Sequence, residues 1–132
     1  MNQFTIAILR EKDLPTISRV GGASTTQMVT PKCGAKSILN GFTTIPPKAA
    51  IPLHYHNCEE SVVIVQGNAT VEVDGKQFVA GVGDVTWLPA NVAHRFINST
   101  ESEGLRIFWT YASGTATRTL VDSGETGPIW AE

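Results

Sequence analysis

The chain has 132 residues, a length suited to one domain, and its hydrophobic fraction of 42% is that of a globular core. Twelve acidic residues against ten basic ones leave a net charge of −2, and no basic cluster occurs, so nothing in the charge pattern calls for nucleic acid. No apolar run approaches the roughly 20 residues that a membrane span needs.

The N-terminal segment, residues 1–26, opens with a short apolar patch carrying Phe4, Ile6, Ile8 and Leu9. It lacks a basic start, an adequate apolar core and a small-residue cleavage site, and is therefore not read as a signal peptide. Two cysteines, Cys33 and Cys58, are too few for a disulfide framework, and a reducing cytoplasm is the expected setting. Residues 5–9 read as a short strand, expected to add to a sheet edge. That edge is either the chain's own or a second subunit's, giving a homodimer. Asp13-Leu14-Pro15 breaks the pattern and Gly21 to Ser24 reads as a loop. A strand follows at residues 27–30 and stops at Pro31. Residues 37–45 form the next, halted by Pro46-Pro47. Residues 53–56 and 60–66 follow, the latter mostly β-branched and apolar. Residues 69–73 and 76–79 flank Asp74-Gly75, a two-residue hairpin signal. Strands are also expected at 85–88, from 94 to 97, at 105–112 and at 115–122. About ten short strands with Gly and Pro turns, and no long stretch of helical period, mean an all-β sandwich or barrel.

The three histidines of the chain are not scattered. His54 and His56 stand two apart on a strand, so both imidazoles leave the same face, roughly 6.5 to 7 Å apart along it. A strand beginning at Glu60 can fold back and bring a carboxylate to the same point. His94 follows a strand end and a turn. Three imidazoles and one carboxylate suit a divalent transition metal. Glu59, next to Glu60, fits an exposed hairpin end, and Cys58 lies off the ligand spacing.

At these residues the chain resembles the cupins. The first cupin motif, G-x5-H-x-H-x3,4-E-x6-G, is matched by His54-x-His56-x3-Glu60-x6-Gly67 within residues 54–67. The second, G-x5-P-x-G-x2-H-x3-N, is matched by Gly83-x5-Pro89-x-Asn91-x2-His94-x3-Asn98 within residues 83–98. Lys48 stands where the first motif begins with glycine, and Asn91 replaces the internal glycine of the second. Neither change touches a metal ligand, and Asn tolerates positive φ better than most residues. The resemblance implies a double-stranded β-helix, the jelly-roll cupin barrel, over residues 1–132 as one domain. It also implies one divalent ion per chain, Fe, Mn, Ni, Co or Zn, held by His54, His56, Glu60 and His94.

Four ligands on an octahedral ion leave up to two positions open. A hydroxy-acid, diketone or catechol could chelate there and undergo Lewis-acid or oxygenase chemistry. With every histidine assigned to metal, Glu60 or a metal-bound water is the candidate base. The alternative is a metal-containing module that binds or senses a small molecule without turning it over. Strand alternation makes Phe42, Val62, Ile64, Gln66, Trp87, Phe96, Trp109 and Tyr111 candidate pocket residues. Lys36, Lys48, Arg106 and Gln66 are the candidate anchors for an acidic ligand. The resemblance covers many reactions and selects none of them.

Overall fold

The structure is a computed structural model and describes residues 8–129. Among them lie twelve strands in two six-stranded antiparallel sheets, short 3-10 turns at Glu11–Asp13, Val20–Gly22 and Pro31–Cys33, and no α-helix. This is the expected all-β, two-sheet jelly roll. The first sheet runs β1 (Thr16–Ser18), β2 (Ser24–Gln27), β3 (Leu39–Ile45), β10 (Leu105–Tyr111), β5 (Glu60–Gln66), β8 (Val85–Leu88). The second runs β12 (Thr126–Pro128), β11 (Thr117–Leu120), β4 (His54–His56), β9 (His94–Ile97), β6 (Ala69–Val73), β7 (Lys76–Ala80).

Alternation along the central strands explains which face is buried. On β3, Leu39, Gly41, Thr43 and Ile45 point inward; on its partner β10, Leu105, Ile107, Trp109 and Tyr111 do so. The period of two carries every second side chain into the space between the sheets. There they meet Val62, Ile64, Val71, Leu88 and Phe96, all at most 2% exposed.

The turns follow the residues that can make them. Asp74 and Gly75 both take positive φ, 52° and 78°, the signature of a tight I′ hairpin, and Val73 pairs with Lys76 across it. At Gly67, with φ 81°, an added Cβ would meet the Gly104 carbonyl oxygen at 2.6 Å, so the last glycine of the first motif is a packing requirement. Both motif departures keep the glycine's backbone. Asn91 has φ 65° and Lys48 has φ 62°. The motif's final Asn98 is structural too: its buried amide donates to the carbonyls of Ile45 and Glu103.

Two expectations for the N-terminal part are corrected. The strand expected at residues 27–30 is Ser24–Gln27 instead, because Thr30 turns away to cap the next 3-10 turn, its hydroxyl accepting from the Lys32 N–H. Ser24, expected in a loop, opens β2 instead, and residues 16–18, for which the sequence suggested no element, form the edge strand β1, joined to β2 by a Thr16–Thr26 hydroxyl contact of 2.9 Å. Phe4 and Ile6, and with them most of the strand expected at residues 5–9, lie outside the described residues. No helix among the described residues is long and apolar enough to cross a membrane.

Candidate metal centre and its pocket

β4 pairs with β9 so that His54 lies directly opposite His94, and His56 stands two residues along on the same face. Glu60 opens β5 in the facing sheet. The two sheets thus close on one point from opposite sides. All four side chains are at most 5% exposed, and the ligand nitrogens of the three histidines lie within 4.8 Å of one another.

The backbone sets the direction of each ring. Nδ1 of His54 lies 2.6 Å from the Pro52 carbonyl oxygen, that of His56 3.0 Å from Thr117, and that of His94 2.9 Å from Val92. A carbonyl oxygen only accepts, so each Nδ1 carries the hydrogen and each Nε2 turns a lone pair to the centre. Glu60 Oε1 lies 3.1 Å from Nε2 of His94 and 3.4 Å from Nε2 of His56. His56 Nε2 is buried and makes no hydrogen bond, the one such side-chain N or O atom among the described residues. Several acceptors facing one another in a dry site repel unless a cation lies between them. The donor set of three imidazoles and a carboxylate, oriented by carbonyls behind it, fits a divalent transition metal.

The protonation states agree. Burial, helped by the neighbouring His94 and His56, lowers His54 from 6.5 to about 3, so its ring is neutral and free to bind a cation. Burial works against the charge of Glu60, but its neighbours His56 and His94 favour the ionised form and hold the carboxyl at about 2. A depressed folded value means that stability present above the unfolded value is lost as pH falls. For His54 the window runs from 6.5 down to about 3, and Glu60 adds to the loss from 4.5 down to about 2. The thermal midpoint of metal-free protein should therefore fall steadily as pH is lowered from 6.5 to 4, and His54→Gln should flatten that slope. An unchanged midpoint across the window in the parent protein would contradict this electrostatic picture.

A cavity of about 160 Å³ opens beside the cluster. Ile107, Trp109 and Tyr111 of β10 line it from the first sheet and Phe96 of β9 and Leu120 of β11 from the second, with Ile51, Pro52 and Ile129 completing the wall. Tyr111 stacks edge-on against His56 with ring centroids 4.5 Å apart. Trp109 is fixed by its indole N–H, which donates to Thr43 Oγ1 at 2.8 Å, and Thr43 contacts Thr25 Oγ1 at 3.0 Å. Among the described residues, Glu60 is the only carboxylate on the wall.

The structure brings Phe96, Trp109 and Tyr111 to this cavity and leaves the other candidate pocket residues elsewhere. Val62 and Ile64 are sealed in the core, because β5 climbs about 3.4 Å per residue away from Glu60 and leaves the cavity behind. Gln66, beyond a β-bulge at the far end of β5, is exposed. Phe42 is on the outer face, stacked on Phe108 and covered by the Arg106 guanidinium, which also pairs with Glu11. Trp87 is 64% exposed and donates to Glu59 Oε1 at 2.8 Å, so Glu59 is the surface carboxylate that the spacing implied. Lys36 is exposed and Lys48 pairs with Glu101, so neither anchors a ligand here. The basic residues that do line the cavity are Arg19 and Arg118. Arg118 had a signal in the sequence: it shares the inward phase of its strand with Ala116 and Leu120. Arg19, in a loop, had none.

Known proteins resemble this chain in both sequence and fold. The polyketide synthase CurC of Streptomyces cyaneus is 28% identical over 109 residues, covering 82% of this chain and 71% of that protein. Protein SchB of Streptomyces halstedii is likewise 28% identical over 109 residues, covering 82% of this chain and 79% of that protein. In fold, the polyketide cyclase RemF from Streptomyces resistomycificus superposes with a TM-score of 0.75 at 12% identity, covering 95% of this chain and 86% of that one. The cupin domain family matches residues 41–111, the span holding both motifs and all four clustered side chains, and the chain belongs to that family.

Proposed function

We propose that this metal-type cupin is an enzyme that binds a small, oxygen-rich ketone or enol and promotes ring closure or rearrangement on it, as in polyketide cyclisation. The observation that carries this reading is the buried set of inward Nε2 atoms beside an aromatic cavity whose wall includes the carboxylate of Glu60. The polyketide names of CurC and RemF point the same way. His54, His56, His94 and Glu60 would hold the ion, which supplies Lewis-acid polarisation of a substrate carbonyl. The chain's own residues do the rest. Trp109, Tyr111 and Phe96 exclude water and press a planar ligand flat, which strengthens every charge interaction inside. Glu60, ionised at neutral pH, is placed to take a proton at its carboxylate oxygen from a carbon flanked by two carbonyls.

The test is hydrogen–deuterium exchange at the central carbon of a simple 1,3-diketone, followed by NMR. Metal-loaded protein should accelerate exchange well above the same concentration of free ion, and Glu60→Gln should lose that acceleration. Binding of the diketone without accelerated exchange would instead assign the chain to non-catalytic small-molecule binding.

We also propose that the protein is a homodimer. Support comes from β7 and β8, an edge strand of each sheet, and the turn between them, where Phe78, Val79, Val82, Val85 and Trp87 are all more than half exposed. Open sheet edges and apolar surface of this kind are normally covered. Light scattering should give twice the chain mass at micromolar concentration, and Val79→Asp/Val85→Asp should halve it. A monomeric parent protein would rule the dimer out.

A further inference from the structure

The three imidazoles are oriented in two different ways. His54 and His94 each reach the carbonyl two residues before them, Pro52 and Val92, so the strand that carries the ring also sets its direction. His56 instead uses the Thr117 carbonyl, 61 residues away, at 3.0 Å from its Nδ1. Thr117 opens β11, directly after the connection from β10. The direction of the His56 ring therefore depends on where that connection delivers Thr117. Asn57, the residue next to the ring, grips the connection at two points. Its Oδ1 accepts from the Thr117 N–H at 2.9 Å, and its Nδ2 donates to the Thr115 carbonyl at 3.3 Å. A primary amide can do both because it carries an acceptor and donors on one planar group. Thr117 is thus held at its N–H by Asn57 and at its carbonyl by His56. Gly114 packs the same connection against the Lys36 carbonyl so closely that no Cβ fits there.

We propose that Asn57 is a positioning residue for the metal centre: by clamping Thr117 it keeps in place the carbonyl that turns Nε2 of His56 inward. The inference rests on the reading of the cluster as a metal site. Two acceptors compete for the ring hydrogen of His56. Thr117 lies 3.0 Å from Nδ1, and Glu60 Oε1 lies 3.4 Å from Nε2. With Thr117 displaced, the ring changes tautomer, losing the hydrogen at Nδ1 and gaining one at Nε2 towards Glu60. The lone pair then no longer faces the centre. His54 and His94, each held by its own strand, are spared. Removing a group that orients a metal ligand costs about 10- to 100-fold in affinity. Asn57 acts through one intervening backbone unit, so the lower figure is expected.

The test uses the full chain with isotope-labelled histidine rings, and cobalt(II) as the metal probe. In metal-free parent protein at neutral pH, two-bond nitrogen–proton NMR correlations should show all three rings with the hydrogen on Nδ1. Asn57 is exposed, so Asn57→Ala leaves no void in the core. That variant should move His56 alone towards the Nε2–H tautomer and lower cobalt affinity about tenfold. Asn57→Asp keeps the acceptor for the Thr117 N–H, and should restore the His56 tautomer and most of the affinity. Three results would overturn the proposal: an unchanged His56 tautomer in Asn57→Ala, the same change in all three rings, or a loss that Asn57→Asp does not restore. Equal cobalt affinity in the parent protein and Asn57→Ala would leave the metal centre intact and remove only the role of Asn57. If the parent protein takes up no cobalt, the metal reading falls and takes this proposal with it.

Discussion

Replacing His94 by glutamine should remove stoichiometric metal from the protein while leaving it folded. His94 is held from behind by the Val92 carbonyl, faces Glu60 at 3.1 Å and lies opposite His54 across the β4–β9 pair. Its imidazole contributes one of three clustered nitrogens. Loss of a partner that merely orients a ligand costs about 10- to 100-fold in affinity, and loss of the ligand itself should exceed the upper figure. Glutamine keeps bulk and polarity at a position that is 1% exposed, so the core does not collapse around a void. His54→Gln should behave alike. Glu60→Gln should weaken binding less, since the amide oxygen remains a donor, though a poorer one. Metal titration with elemental analysis separates these cases, and full metal content in His94→Gln would contradict the ligand assignment.

A second large effect is expected at a residue with no functional group. Gly41 lies opposite Trp109 in the β3–β10 pair. A Cβ there would fall 2.6 Å from the Thr26 carbonyl oxygen and 2.7 and 2.9 Å from two carbons of the indole ring. The backbone oxygen cannot give way, and the indole is held by its hydrogen bond to Thr43. Gly41→Val must therefore push Trp109 into the cavity and break that bond. Overpacking of this kind costs about 3 kcal/mol, which in a chain of this length lowers the melting temperature by about 10 °C. Affinity for any cavity ligand should fall in the surviving folded fraction. A melting temperature unchanged by Gly41→Val would mean that Trp109 is not packed as described.

What the sequence made legible was whatever is local or tied to period. Alternation located β3, β5, β6 and β10, and the Asp74-Gly75 turn announced its hairpin because few residue pairs accept two positive φ angles in succession. The histidines could be grouped because a spacing of two on a strand fixes a shared face. Asn91 could be expected to stand in for glycine on backbone grounds, and it takes φ 65°. Less legible was everything set by how the sheets close. Phe42 and Trp87 read as pocket aromatics, but nothing local says which face of a strand is the outer one. Gln66 fits the inward alternation of β5 until the bulge opposite Arg106 and Ile107 breaks the phase. Arg19 reaches the cavity from the turn before β2, a tertiary fact without a sequence period.

We propose that one divalent ion is held between the sheets by His54, His56, His94 and Glu60. Anomalous diffraction from crystals of protein loaded with zinc or nickel, recorded at that metal's absorption edge, addresses it without reference to any reaction. One strong peak per chain is expected, within bonding distance of the three Nε2 atoms and Glu60, and absent in His54→Gln/His94→Gln. A peak at other residues, or none at this cluster in fully loaded protein, would contradict it.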